Sequence, residues 1–142
     1  MTIENVLRGK DGSIVTVSPR ENVETAAQLL NEHCIGAILA MEGDNIAGVL
    51  SERDIVRSIA KMGAAALSKP VASLMTAKVI TCTKTDTVQD VMGLMTDKRI
   101  RHVPVIENGT LIGIVSIGDL VKERIAQSEH EASALRDYIS AG

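Results

Sequence analysis

Apolar positions along this chain recur in two rhythms. Short apolar runs bounded by turn residues read as strands, and apolar residues three and four apart read as one face of a helix. From the N-terminus, Ser13 to Val17 gives a short β run. Val23, Ala26, Ala27 and Leu30 then keep helical spacing, with Ser18-Pro19 ahead of them as a start signal. Ala37 to Met41 and Ile46 to Leu50 flank the polar turn Glu42-Gly43-Asp44-Asn45 and predict a hairpin. A second helix follows from Ile55. The order then repeats: a β run from Val79 to Cys82, then Thr85-Asp86 before Val88, Val91, Met92 and Met95. His102 to Ile106 and Leu111 to Val115 flank Glu107-Asn108-Gly109-Thr110, and another helix begins at Leu120.

The recurrence is literal. Shifting the chain by 65 residues aligns 15–57 with 80–122 without a gap, and nine of the 43 pairs are identical. Among them are Thr16/Thr81, Gly48/Gly113, Ser51/Ser116 and Asp54/Asp119. Each copy predicts a β-α-β-β-α unit, so the fold class is α+β, a mixed α/β protein. A three-stranded sheet with two helices cannot close a core at this size. The two repeats are therefore expected to pack about a pseudo-twofold axis. The boundaries read as 1–62 for the first repeat, 63–74 for a linker, 75–127 for the second repeat and 128–142 for a C-terminal tail helix. Gly63-Ala64-Ala65-Ala66 and Lys69-Pro70 mark the linker; Leu135, Tyr138 and Ile139 make the tail amphipathic.

Composition narrows the function. The chain has 142 residues, 45% of them hydrophobic, and a net charge of -3, which disfavours a nucleic-acid surface. Tyr138 is the single aromatic residue, so bases have no stacking platform. A bound base would be gripped by aliphatic side chains and backbone. No apolar run is long enough to cross a bilayer, and the N-terminus lacks the core of a signal peptide. Cys34 and Cys82 show neither metal spacing nor a disulfide framework, and their apolar neighbours predict buried thiols. A cytoplasmic setting is the expectation, with no membrane partner and no metal cofactor.

Two segments carry candidate chemistry. Gly48-Val49-Leu50-Ser51-Glu52-Arg53-Asp54 and Gly113-Ile114-Val115-Ser116-Ile117-Gly118-Asp119 both lead a strand into a helix through a Ser-x-x-Asp turn. One reading is a capping box. The other is a nucleoside site, with amides and helix dipole for phosphate and the aspartate for ribose hydroxyls. Repetition at equivalent positions favours the second. Lys98-Arg99-Ile100-Arg101-His102 adds positive charge ahead of one strand, where the first repeat has Cys34-Ile35-Gly36-Ala37. Arg101 and His102 suit phosphate oxygens, and Arg53 is the main basic contribution from the first repeat. His33 and Cys34 adjoin each other but have no third member of a triad, so no enzyme is predicted.

The 65-residue repeat, the paired Gly-x-x-Ser-x-x-Asp turns and Arg101-His102-Val103-Pro104-Val105 together resemble a tandem cystathionine-β-synthase (CBS) domain pair, or Bateman module. The resemblance spans about residues 12–127. It implies two clefts between the repeats that bind AMP, ADP, ATP, S-adenosylmethionine or NAD(H), and a regulatory rather than catalytic role. Asp54 and Asp119 match ribose-binding aspartates, and Ser51 and Ser116 match the neighbouring hydroxyls. Thr16 and Thr81, with Ile80, match first-strand positions near the nucleoside. The backbone of Ile35, Gly36 and Ala37, and of Arg101, His102, Val103 and Pro104, would meet adenine. The Asp119 side is the better place for a phosphorylated ligand. A stand-alone adenine-nucleotide sensor follows, forming a homodimer and acting on an effector protein; the alternative is a ligand-independent dimerisation or partner-binding module.

Overall fold

In the computed structural model, which describes residues 1–10 and 12–141, the doubled pattern becomes two compact units. The first is Ser13–Ile80; the second combines Met1–Gly12 with Thr81–Gly142. The elements run α1 (Ile3–Arg8), β1 (Thr16–Val17), α2 (Val23–Glu32), β2 (Ala37–Glu42), β3 (Asn45–Ser51) and α3 (Glu52–Met62). A 3-10 turn (Gly63–Ser68), α4 (Val71–Leu74), α5 (Val88–Lys98), β4 (His102–Glu107), β5 (Thr110–Ser116) and α6 (Ile117–Ala141) complete the order.

The first unit follows the β-α-β-β-α plan. Its sheet has order β1-β2-β3, with β1 parallel to β2 and β2 antiparallel to β3. Val17, Ala26, Leu30, Ile38, Leu50 and Ile55 form its core with Val71 from α4. The hairpin closes through Gly43 at φ 60°, as a two-residue turn with glycine first requires. In the second unit β4 and β5 pair in the same register, Val103 opposite Val115 and His102 opposite Ser116. Asn108 and Gly109 both take positive φ there, 52° and 77°, the Asn-Gly form of the tight hairpin. Its core gathers Val88, Val91, Met95, Val103, Val115 and Leu120 around Ile3 and Val6 of α1.

Several sequence expectations need correction. The β run from Ser13 shortens to Thr16–Val17, and that from Val79 to one parallel bridge, Cys82 with Val105. Cys82 uses its amide on the Pro104 carbonyl and its carbonyl on the Ile106 amide. Pro104 has no N–H for the next rung, whereas Leu39 at the equivalent place has one and pairs with Thr16. The first helices begin later than Ser18-Pro19 and Thr85-Asp86 suggest, after Asn22 and Thr87. The earlier residues instead build a turn, in which the Ser18 carbonyl accepts from Glu21 and the Thr83 carbonyl from Asp86. The second helices start at Glu52 and Ile117, because Ser51 and Ser116 end their strands directly. The tail is not a separate helix, since α6 runs unbroken for 25 residues.

Cys34 is exposed, against expectation, while Cys82 is buried. The cause is local. Cys34 ends α2 in the left-handed conformation, φ 53°, and the Ile35 amide closes the turn on the Leu30 carbonyl at 3.0 Å. Arg99 does the same after α5 at φ 55°. At both ends the following isoleucine, Ile35 or Ile100, packs against the core in place of the turn residue.

The boundary between units also falls elsewhere than the sequence segments suggest. Residues 63–74 pack within the first unit, with Ala66 and Val71 buried. The chain start packs with 81–142 instead. The two placements mirror each other. The Val71 amide bonds the Glu21 carbonyl at 2.8 Å, and the Ile3 amide bonds the Asp86 carbonyl at 2.9 Å. Gly48 makes room for Met75 and Gly113 for Leu7: a Cβ on either would lie 2.6 Å from Met75 Sδ or 2.7 Å from Leu7 Cδ2.

Candidate functional site

In each unit the strand-to-helix corner is built by a reciprocal pair of bonds. Ser51 donates its amide to Asp54 Oδ2 at 2.9 Å, and Ser51 Oγ accepts from the Asp54 amide at 3.2 Å. Ser116 and Asp119 repeat this at 2.9 and 3.1 Å. The capping reading is therefore physically realised in both copies. The first amide of each helix is also satisfied, Glu52 by the Gly36 carbonyl at 3.0 Å and Ile117 by that of Arg101 at 2.8 Å.

Capping does not exhaust either aspartate. In Asp54 the protein bond falls on Oδ2, and among the described residues Oδ1 has no hydrogen-bond partner. In Asp119 the protein bonds also converge on Oδ2, and among the described residues Oδ1 again has no hydrogen-bond partner. Both aspartates are half-buried at the surface.

The two corners differ in charge. Lys10 Nζ donates to Asp119 Oδ2 at 2.7 Å and to the Ile114 carbonyl at 2.9 Å. Burial alone would raise the Asp119 carboxyl. The Lys10 and Ser116 hydrogen bonds and the Lys10 charge outweigh it, and hold the group below the usual carboxylate range. Arg101 is exposed and its carbonyl caps α6; His102 stands opposite Ser116 in the ladder. Lys10, Arg101, His102, Ser116 and Asp119 are thus all tied to the start of one helix. Ala37 takes the place of His102 opposite Ser51, and exposed Arg53 sits in the first turn of α3.

The family model for the CBS domain matches twice, over residues 11–61 and 71–126. The chain belongs to the CBS-domain family. It is a tandem CBS pair, and such pairs are regulatory modules. It is 37% identical over 150 residues to CBS domain-containing protein CBSX3, mitochondrial, of Arabidopsis thaliana, covering 99% of this chain and 73% of that protein. The crystal structure of a CBS-domain-containing protein from Agrobacterium tumefaciens superposes with TM-score 0.85 at 41% identity, over 87% of this chain and 99% of that one. A CBS domain pair solved with 5′-methylthioadenosine and S-adenosyl-L-methionine shares the fold at TM-score 0.79 and 21% identity, over 89% of this chain and 98% of that one.

The CBS pair distributes the sequence-predicted residues over both units. Thr16, Ile35, Gly36, Ala37, Ser51, Arg53, Asp54 and Ile80 belong to the first. Thr81, Arg101, His102, Val103, Pro104, Ser116 and Asp119 belong to the second. Ala37, Val103 and Pro104 are buried, Val103 completely, and the Pro104 carbonyl accepts from the Cys82 amide. Thr16 and Thr81 are exposed on or beside first-strand positions. Sequence reasoning missed Lys10 and the helix before it. A signal for that helix exists: Ile3, Val6 and Leu7 keep helical spacing, and Thr2 donates its amide to Asn5 Oδ1 at 2.9 Å. Among the described residues no helix is long and apolar enough to cross a membrane.

Proposed function

We propose that this CBS pair is a sensor of adenine nucleotides (AMP, ADP, ATP or NAD(H)), with ribose held at the Ser-x-x-Asp corners. The observation that carries this is the open Oδ1 of Asp54 and of Asp119, presented twice beside a helix N-terminus. A carboxylate fixed through one oxygen is positioned to accept ribose hydroxyls through the other. The similar fold solved with two adenosine-containing ligands supports this choice of nucleoside.

Adenine would rest on the backbone of Ile35 to Ala37 in one unit and of Arg101 to Pro104 in the other. Arg101, His102 and Lys10 make the Asp119 corner the preferred one for phosphate, by charge and by multidentate donation. The Asp54 corner, where Arg53 is the main basic contribution and Ala37 replaces His102, suits a less charged ligand. Binding would act on an effector by favouring one packing of a homodimer, to the extent of its differential affinity for the two packings.

Calorimetric titration with AMP, ATP and NADH tests the proposal, using the wild type, Asp54→Asn and Asp119→Asn. Asparagine keeps a side-chain oxygen for the cap while removing the charge. Loss of ATP affinity in Asp119→Asn, with the fold intact by circular dichroism, is the expected result. Unchanged affinity in both variants overturns the ribose assignment.

A second reading has its own observation. Both Ser-x-x-Asp turns are complete caps and need no ligand to explain them. On that reading the protein is a ligand-independent dimerisation or partner-binding module. The absence of any thermal shift with all three nucleotides would favour it.

A further inference from the structure

The last half of α6 lies open to solvent. Every residue from 128 to 141 is exposed, a span of about 21 Å of helix. A helix of that length without tertiary contacts is marginal in water. The helix nevertheless presents a row that is apolar except at Ser128. Val121, Ile125, Ser128, Ala132, Leu135 and Ile139 recur at alternating intervals of four and three, the spacing of a coiled-coil seam. The larger of these are exposed, Ile125 at 54%, Leu135 at 60% and Ile139 at 66%.

We propose that this seam pairs with the same seam of a second copy as a parallel, in-register two-stranded coil. The flanking charges select that occupant. With Ile125, Ala132 and Ile139 at a and Val121, Ser128 and Leu135 at d, Arg124 and Glu131 take g while Lys122, Glu129 and Arg136 take e. In a parallel pair each g residue faces the e residue five places on in the other helix. Arg124 then meets Glu129 of the second copy, and Glu131 meets Arg136, each contact occurring twice by symmetry. The antiparallel pairing that aligns all six layers sets Glu129 against Glu129, Glu131 against Glu131, and Lys122 against Arg136. Charge thus favours the parallel arrangement. Ala132 and Ser128 are small enough for close approach at the middle, while Val121, Ile125, Leu135 and Ile139 carry the apolar contact at either end. The inference is independent of the nucleotide reading.

Cysteine cross-linking of the full chain tests it, because the readout is the tail rather than dimerisation elsewhere. In a Cys34→Ser background, Ser128→Cys places a thiol at a seam position that faces its own copy; Ser133→Cys places one on the outer face. Under mild oxidation Ser128→Cys is expected to form disulfide dimers at least about tenfold faster than Ser133→Cys. Arg124→Glu should slow that reaction at least about threefold, and adding Glu129→Arg should restore it. Equal rates for the two cysteine positions overturn the proposal. So does a mixture of Ser128→Cys and Ala132→Cys that joins mainly as the mixed dimer, the mark of antiparallel pairing. Leu135→Glu, on an exposed position, should abolish the Ser128→Cys preference with the helical signal of the units intact.

Discussion

Replacing Lys10 by methionine removes one ammonium while keeping most of the side chain's length and apolar stem. That ammonium bonds Asp119 Oδ2 at 2.7 Å and the Ile114 carbonyl at 2.9 Å. The two side chains are 33% and 27% exposed, so the pair is neither fully wet nor sealed. Exposed ion pairs contribute about 0.2–1 kcal/mol, and hydrogen bonds to charged groups about 1.5–3. Partial exposure places the expected loss for Lys10→Met between these, at about 1–2 kcal/mol. Asp119 keeps both bonds to Ser116 in the variant, so the larger penalty of a stranded buried charge does not apply.

The pH dependence supplies the sharper test. Burial pushes the Asp119 carboxyl upward, and Lys10 and Ser116 together more than reverse this, so the folded protein holds it below the ordinary aspartate range. A carboxyl depressed by folding contributes stability above its unfolded value and loses it as pH falls through the folded one. The gap between wild type and Lys10→Met should therefore be full at pH 7 and narrow below about pH 4. Urea titrations followed by far-UV circular dichroism measure it, since the one aromatic residue, Tyr138, is 79% exposed and reports nothing of the core. Asp119→Asn in the same series closes a double-mutant cycle, with a coupling of about 1 kcal/mol or more expected. A variant as stable as wild type at pH 7, or a gap unchanged at pH 3, would refute the assignment of Lys10 as the partner that depresses Asp119.

Two further outcomes follow from packing and thiol environment. Gly48→Ala should cost about 1–3 kcal/mol, because the added Cβ would lie 2.9 Å from the Thr76 carbonyl as well as against Met75. Gly113→Ala should cost less, since its close contact is a Leu7 methyl that can turn aside; paired urea titrations give the order. A thiol reagent at neutral pH should titrate Cys34 rapidly in the native protein and reach Cys82 only on unfolding. Cys82 is buried, and its thiol is pushed up to about 12 by burial and by the nearby Asp86 carboxylate.

What could be read from the chain alone was whatever depends on near neighbours in sequence. The hairpins, both capping turns and the doubled plan follow from local spacing and from a gap-free alignment that compares like with like. The places where the reading failed depend on distant partners or on backbone geometry. Pro104 shortens a strand that lies more than 20 residues before it. Cys34 is turned outward by its own left-handed backbone conformation, which no apolar pattern marks. Lys10 meets a carboxylate 109 positions away, and the alignment, which begins at Val15, is silent about it.

That last contact changes the character of the candidate site. The sequence distinguished the two copies by Arg101-His102 against Gly36-Ala37, a difference carried within the repeats. Lys10 adds a cation from outside the repeat, delivered by a helix that packs where α4 packs in the other unit. Met75 and Leu7, the residues that meet Gly48 and Gly113, thus do similar work, but only one of these leading segments ends in a lysine on the aspartate. Charge has therefore been concentrated at one of two otherwise equivalent corners. On the proposed reading, a ribose approaching Asp119 would meet an ammonium already bound to Oδ2, with Oδ1 left to accept its hydroxyls. If phosphate follows the ribose, Lys10 lies near enough to the corner to be drawn from carboxylate toward phosphate. The ion pair would then weaken as nucleotide binds, so Lys10→Met should lower affinity for ATP more than for adenosine. Equal losses for both ligands in calorimetry would assign Lys10 to the fold alone.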